Sequence, residues 1–353
     1  MPDIMANTNN GNYPIFIQSG KLDRLGEIAA SCVKGRKAFV VTDSNVAPLY
    51  LVRAVDALKK EGFSTPSCTV PAGESSKSRD ILFMLFEQFN AAGVSRADVI
   101  VALGGGVIGD LTGFAAASYM RGCPFIQVPT TLLAQVDSSI GGKTGIDLPF
   151  GKNLVGAFYQ PRAVLIDPSV LSTLTRSVTA EGMAEVIKYG CIRDRLLFES
   201  IEKGMSDLEW MIERCVRIKT TVVQNDEYDT GERMLLNFGH TIGHAIEKVS
   251  GYSGISHGEA VAIGMVYAAK TGESFGHTEK GTAERIRKLL KKWQLPVQTH
   301  IPVEEIFDAM MSDKKRLTGK FFFVFLSRIG EASAIPTEKD SLFERMKGVW
   351  DDE

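Results

Sequence analysis

Cysteine is scarce, with five in 353 residues. Cys32, Cys68, Cys123, Cys191 and Cys215 are scattered and no two form a C-x-x-C pair. That excludes a cysteine-based zinc module and a disulfide scaffold, and reads as reduced thiols in a cytoplasmic protein. The first residues, Met1 to Asn12, are polar and Asn-rich, so a secretory leader with an apolar core is not expected. Long apolar runs are lacking too. The most apolar stretch, Val99 to Met120, is interrupted by five glycines and Asp110, so no membrane span is expected. Excess charge of one sign is missing: the net charge is −2. Bulk binding to nucleic acid or an anionic membrane is therefore excluded, and any anion site must be a local cluster of Lys and Arg. Repeats and low-complexity tracts are absent. What remains is ordinary globular composition, 44% hydrophobic and 23% charged, in a chain whose length fits two domains.

The first half alternates short apolar runs with helical patterns. Strands are expected at 38–42, 67–70, 98–103, 125–128 and 163–166, with helices at 47–61, 78–92 and 109–119. Continuously apolar strands imply a sheet covered on both faces, hence a parallel, Rossmann-like α/β domain. Helical patterns dominate from Ser169 to Met311, including 208–223 and 260–270, followed by a short β pair at 321–326 and 332–334. The expected domains are 1–170, α/β and nucleotide-binding, and 171–353, mostly α-helical.

The strand ending at Leu103 runs into Gly104-Gly105-Gly106-Val107-Ile108-Gly109-Asp110, a G-x-G-x-x-G between strand and helix. Such glycines let backbone N–H groups approach a pyrophosphate at a helix N-terminus. A tight turn with no ligand uses the same residues. Asp43 and Asn45, after an earlier strand, suit either a ribose contact or a plain Asx turn.

Histidine is as rare as cysteine, yet three of the five fall within eighteen residues: His240, His244 and His257. On a helix His240 and His244, at i and i+4, share a face. His257 follows Ser256 in a capping box closed by Glu259, where a helix N-terminus keeps imidazole neutral and able to ligate. Glycines 239 and 243 beside them imply close approach by a neighbouring element. Glu185 is the candidate carboxylate for a zinc-type site. Read on spacing alone, the same residues also suit hydrogen-bonded core histidines and a solvated glutamate. Lys143 and Lys152 in glycine-rich loops, Arg121, Lys188, Arg233 with Asn237 at i+4, and Lys314-Lys315 suggest a small polyanionic substrate.

Taken together these runs resemble the 3-dehydroquinate synthase family. The resemblance rests on Gly73-Glu74-Ser75-Ser76-Lys77, Gly104 to Gly113, Val128 to Ser139, Gly141-Gly142-Lys143-Thr144, Ala184 to Gly190 and Leu236 to Glu247, and covers nearly the whole chain. It implies an N-terminal NAD-binding domain and a helical C-terminal domain with a divalent metal, Zn2+ or Co2+. The implied metal ligands are Glu185, His240 and His257. The implied NAD contacts are Asp43, Asn45, Glu74, Lys77, Gly105, Gly106, Val107, Asp110, Thr130, Thr131 and Asp137, together with Lys143 and Lys152. Substrate contacts map to Arg121, Lys143, Lys152, Asn153, Lys188, Lys219, Arg233, Asn237 and His244. Of these, Lys143, Lys152, Lys188, Arg233, Asn237 and His244 carry catalysis. A homodimer is implied as well, and whether Arg121 reaches across it stays open. The chain departs from the family pattern at Asp229, where a glutamate is usual, and at Thr175 and Ser327, where prolines are usual.

The implied reaction converts 3-deoxy-D-arabino-heptulosonate 7-phosphate to 3-dehydroquinate and phosphate by transient oxidation, elimination, re-reduction and aldol closure. This makes the expected enzyme a lyase of the shikimate pathway. The alternatives are a cyclase acting on sedoheptulose 7-phosphate or glucose 6-phosphate, a glycerol-dehydrogenase-like enzyme with net NADH production, and an inactive NAD-binding module.

Overall fold

The computed structural model describes residues 3–9, 11–149, 151–229, 231–252, 254–314 and 321–351, with backbone only for Asp313, Lys314 and Asp351. Lys315 and the Lys314 side chain, expected to contact an anion, lie outside the described residues. The chain forms two compact units, Met1–Leu174 with Leu208–Tyr228, and Thr175–Asp207 with Asp229–Glu353.

The first unit is built on a seven-stranded sheet. Its strands are β1 (Ile4–Thr8), β2 (Gly11–Ile17), β3 (Ala38–Asp43), β4 (Ser67–Val70), β5 (Val99–Gly104), β6 (Phe125–Pro129) and, after a separate hairpin of β7 (Lys143–Leu148) and β8 (Gly151–Phe158), β9 (Ala163–Ile166). The order is β1-β2-β9-β6-β5-β3-β4, parallel throughout except for the antiparallel edge pair β1-β2. Alternate side chains of one strand enter opposite cores. Val99, Val101 and Leu103 pack with α1 (Leu25–Cys32) and α2 (Val52–Lys60), while Ile100 and Ala102 pack with α3 (Arg79–Ala91) and α4 (Gly106–Ser118). This two-sided burial is why the strands are apolar at every position.

Three features depart from the sequence reading. The polar N-terminal segment forms β1 and β2; Tyr13, Ile15 and Ile17 alternate inward, a period-2 signal diluted by asparagines. The lysine-bearing glycine loops form the β7–β8 hairpin, so Lys143 and Lys152 stand on strands. The second unit begins with α5 (Arg176–Ile192) and α6 (Arg195–Glu202), after which the chain returns to the first unit as α7 (Leu208–Asn225). A single division at 170/171 thus misses this return. Its cause is the stripe Met211, Ile212, Cys215, Val216, Val222 and Val223, buried where α7 packs on β1 and residues 134–138.

The second unit surrounds α9 (His257–Phe275), buried from Ala260 to Ala269, as expected of a helix that is apolar on all sides. Around it stand α5, α8 (His240–Val249), α10 (Thr282–Lys292) and α12 (Lys339–Asp351), and α11 (Val303–Lys314) lies on α8. The hairpin β10 (Phe322–Arg328) and β11 (Glu331–Pro336) is antiparallel. Two of the family departures take local roles. Thr175 is the N-cap of α5, its hydroxyl accepting from Val178 N–H at 3.4 Å, and Ser327 Oγ donates to the Glu331 carbonyl at 3.4 Å. Among the described residues no helix is long and apolar enough to cross a membrane.

Candidate functional site

In the first unit the residues expected at a dinucleotide gather at the carboxyl edge of the sheet. Asp43 and Asn45 follow β3, Glu74 and Lys77 follow β4, Gly105 to Asp110 follow β5, and Thr130 and Thr131 follow β6. These four strands are neighbours. The chain leaves β3 toward β4 on one side and leaves β5 toward β6 on the other, a reversal that opens a crevice at strand ends. The helix after the glycine loop begins at Gly106, three residues earlier than its apolar pattern suggests, because Gly104 and Gly105 already turn the chain. Gly109 answers to packing: a Cβ there would lie 2.8 Å from Gln127 Oε1 of β6. The N-terminus of α4 thereby faces the strand ends, where backbone N–H groups and the helix dipole favour an anion.

Lys77 is the hub of this edge. Its buried ammonium lies 2.9 Å from Asp110 Oδ2, 3.5 Å from Glu74 and 3.9 Å from Asp147, and donates to Asn153 Oδ1. Burial works against its charge, but Asp110, Glu74 and Asp147 outweigh it and raise the Lys77 pKa. Asp147 is a residue the sequence reading missed. It also accepts from Asn153 N–H at 2.7 Å, and its own N–H donates to the Lys77 carbonyl at 2.8 Å. Asn153 and Arg121 have φ of 56° and 65°, left-handed values uncommon outside glycine. Asp43 makes the Asx turn, accepting from Asn45 N–H at 2.8 Å and Val46 N–H at 3.1 Å. Lys219, on α7, pairs with Asp137 at 3.0 Å and with its carbonyl at 2.7 Å.

The second unit holds the metal candidates. A capping box of Ser256 and Glu259 starts α9, as expected. Gly239 caps α8 in the left-handed region, φ 78°, so it precedes the helix while Gly243 lies within it. Close approach accounts for these glycines: a Cβ on Gly239 would lie 2.9 Å from Met265 N and one on Gly243 3.1 Å from the Ala260 carbonyl oxygen, both of α9, while one on Gly264 of α9 would lie 2.0 Å from the Gly239 carbonyl oxygen and one on Gly258 2.5 Å from Glu181 Cα of α5. Those contacts bring α5, α8 and α9 together at their polar positions. Glu185 Oε1 lies 3.3 Å from His240 Nε2 and 3.8 Å from His257 Nε2. His244, exposed, completes a cluster of three rings with centroids 5.2 to 5.8 Å apart. His240 Nδ1 faces the Phe238 carbonyl at 3.3 Å, which leaves Nε2 toward Glu185.

Glu185 is buried and ion-paired with Lys188 one turn along α5. Burial alone would raise its pKa; the Lys188 ammonium and the two histidines overcome that and hold the carboxyl well below the usual range. Burial and Lys188 push the His240 pKa down, so its ring stays neutral. Neither Glu185 oxygen accepts a hydrogen bond of normal geometry despite these neighbours. A buried carboxylate that faces two imidazole nitrogens, with only one ammonium beside it, fits a divalent cation. Among the described residues, Glu185, His240 and His257 form one group able to hold a metal, and His244, Glu247 and His257 a second that shares His257. Arg233 is buried, but it stands with Asn237 in a 3₁₀ turn, Glu232–Asn237. The segment therefore turns at about three residues per turn, more tightly than the α-helix that the i, i+4 spacing implied.

Comparisons agree with the sequence resemblance. Family models for the N-terminal and C-terminal parts of 3-dehydroquinate synthase match residues 67–181 and 182–316. The 3-dehydroquinate synthase of Clostridium beijerinckii is 44% identical over 339 residues, 94% of this chain and 97% of that one. Among solved structures, a 2-deoxy-scyllo-inosose synthase complexed with carbaglucose-6-phosphate, NAD+ and Co2+ superposes with TM-score 0.84 at 27% identity, covering 98% and 99% of the two chains. The 2-epi-5-epi-valiolone synthase of Streptomyces hygroscopicus subsp. jinggangensis, with NAD+ and Zn2+ bound, shares the fold at TM-score 0.87 and 24% identity, covering 97% of each chain. Matched by both family models and by relatives along nearly its whole length, the chain belongs to the 3-dehydroquinate synthase family.

Proposed function

We infer that the chain catalyses its family's reaction, conversion of 3-deoxy-D-arabino-heptulosonate 7-phosphate to 3-dehydroquinate and phosphate. The observation that carries this reading is the buried Glu185, paired to Lys188 and facing His240 and His257, in a chain this similar to 3-dehydroquinate synthases. In this reading Glu185, His240 and His257 hold Zn2+ or Co2+, and the carboxyl edge of the first unit holds NAD+. When bound, the dinucleotide supplies a reversible hydride acceptor and the metal a Lewis acid for substrate oxygens.

The chain's own groups have distinct tasks. Lys188 offers a buried ammonium to an oxyanion developing beside Glu185. His244, exposed on the face of α8 that carries His240, exchanges protons with substrate. Arg233 and Asn237 in the second unit, and Arg121, Lys143, Lys152, Asn153 and Lys219 in the first, supply contacts for an anionic substrate. Lys152 also stands within electrostatic reach of Glu74, one of the proposed dinucleotide contacts. A dehydrogenase acting on a neutral polyol would have no anion for these cations. We extend the reading to a cytoplasmic location, in keeping with five free cysteines, and to the homodimer that the family resemblance implies.

Phosphate release from the heptulosonate phosphate, with and without added NAD+, tests the proposal. Phosphate should accumulate over many turnovers with no net rise in NADH absorbance, and sedoheptulose 7-phosphate should be a poor substrate. Stoichiometric NADH would support a dehydrogenase instead, and equal turnover of both sugars a broader cyclase.

A further inference from the structure

The two metal-capable groups share His257 but need different atoms of it. Nε2 faces Glu185, and Nδ1 faces Glu247 Oε2 at 3.4 Å. Glu247 is 4% exposed and stands at i+7 from His240 and i+3 from His244, so all three lie on one face of α8. Where the Glu247 oxygen accepts at this distance, the Nδ1 proton of His257 points toward it. The lone pair is then left on Nε2. His240 is oriented in the same sense by a different partner, the Phe238 carbonyl opposite its Nδ1.

We propose that Glu247 is a positioning residue: by holding the Nδ1 proton of His257 it commits Nε2 to the metal beside Glu185 and His240, and keeps the overlapping His244–Glu247–His257 group from competing for the same ion. Outer carboxylates of this kind set the ring orientation and basicity of a metal-bound histidine. The proposal rests on the metal reading given above.

Zinc affinity of the full-length protein, measured by competition with a chromophoric chelator, tests it alongside the visible spectrum of the Co2+ form. Glu247→Ala should weaken zinc binding about ten- to a hundred-fold and alter the cobalt spectrum. Glu247→Gln, whose amide oxygen still accepts from Nδ1–H, should recover most of the affinity. A merely structural glutamate predicts no such split between Ala and Gln. Should Glu247→Ala not fold, Glu247→Asp replaces it; the carboxylate withdrawn from Nδ1 should bind zinc about tenfold more weakly. Parental affinity in Glu247→Ala or Glu247→Asp, or equal losses in Ala and Gln, overturns the positioning role alone. A parent protein that takes up no stoichiometric zinc overturns the metal reading with it.

Discussion

Replacing Lys188 with methionine separates the stability of the metal-free protein from its metal affinity. In the structure Lys188 and Glu185 are both about 2% exposed and form an ion pair on adjacent turns of α5. Methionine keeps the length and apolar stem of lysine, so packing is largely retained. The carboxylate then loses its fixed cation. At an effective dielectric near 20, two unit charges about 4 Å apart attract by roughly 4 kcal/mol, and removing one partner of a buried pair costs about 3–5 kcal/mol. Proton uptake by Glu185 limits the loss, so about 3 kcal/mol is expected near neutral pH. At roughly 2–4 °C per kcal/mol for a unit of this size, the zinc-responsive melting transition should fall by about 6–12 °C after chelation. Zinc supplies the missing positive charge. If the whole cost vanishes in the zinc form, affinity should rise about a hundredfold, at 1.4 kcal/mol per decade. Calorimetry with and without stoichiometric zinc, together with chelator competition, measures both quantities. An unchanged chelated transition with unchanged zinc affinity would refute the reasoning, since it would mean that the pair contributes nothing to the metal-free state.

Other outcomes follow from the same geometry. Glu185→Gln, His240→Ala and His257→Ala should each lose bound zinc and nearly all activity; elemental analysis showing full zinc in any of them contradicts the ligand set. Gly264→Ala places a Cβ 2.0 Å from the Gly239 carbonyl oxygen, so α8 and α9 must separate, costing about 1–3 kcal/mol or more; zinc affinity should fall along with the melting temperature, and an unperturbed variant would deny the close approach. The raised pKa of Lys77 fixes a sign in pH. The folded state keeps the proton longer than the unfolded chain, so the stabilisation by Lys77 is complete below about pH 10.4 and lost as pH rises through its folded value. Denaturation followed from pH 9 upward should show a steeper decline for the parent than for Lys77→Met; parallel curves would remove Lys77 from the account.

Sequence and structure part company at identifiable residues. The helix-start signal at Ser256–Glu259, the i, i+4 pair His240 and His244, and the central strands were legible because each is written within a few neighbouring residues. The edge hairpin β1–β2 was not, since its inward Tyr13 and Ile15 are interleaved with polar residues and it is completed only by pairing with β9. The hairpin carrying Lys143 and Lys152 read as loop because glycines at 141, 142, 145, 151 and 156 suppress strand propensity; the cross-strand pairing and the α4 surface beneath it supply what propensity does not.

The sequence by itself determined the family, the two-part organisation, and the cluster of histidines with a carboxylate proposed for the metal, because family motifs and helical spacing are local and additive. Tertiary structure alone decided that α7 returns to the first unit, that Lys77 sits among three carboxylates drawn from different segments, and that Glu247 reaches the far nitrogen of His257. Each of these joins residues brought together by burying apolar surface elsewhere in the chain, and no short window of sequence records which surfaces those will be.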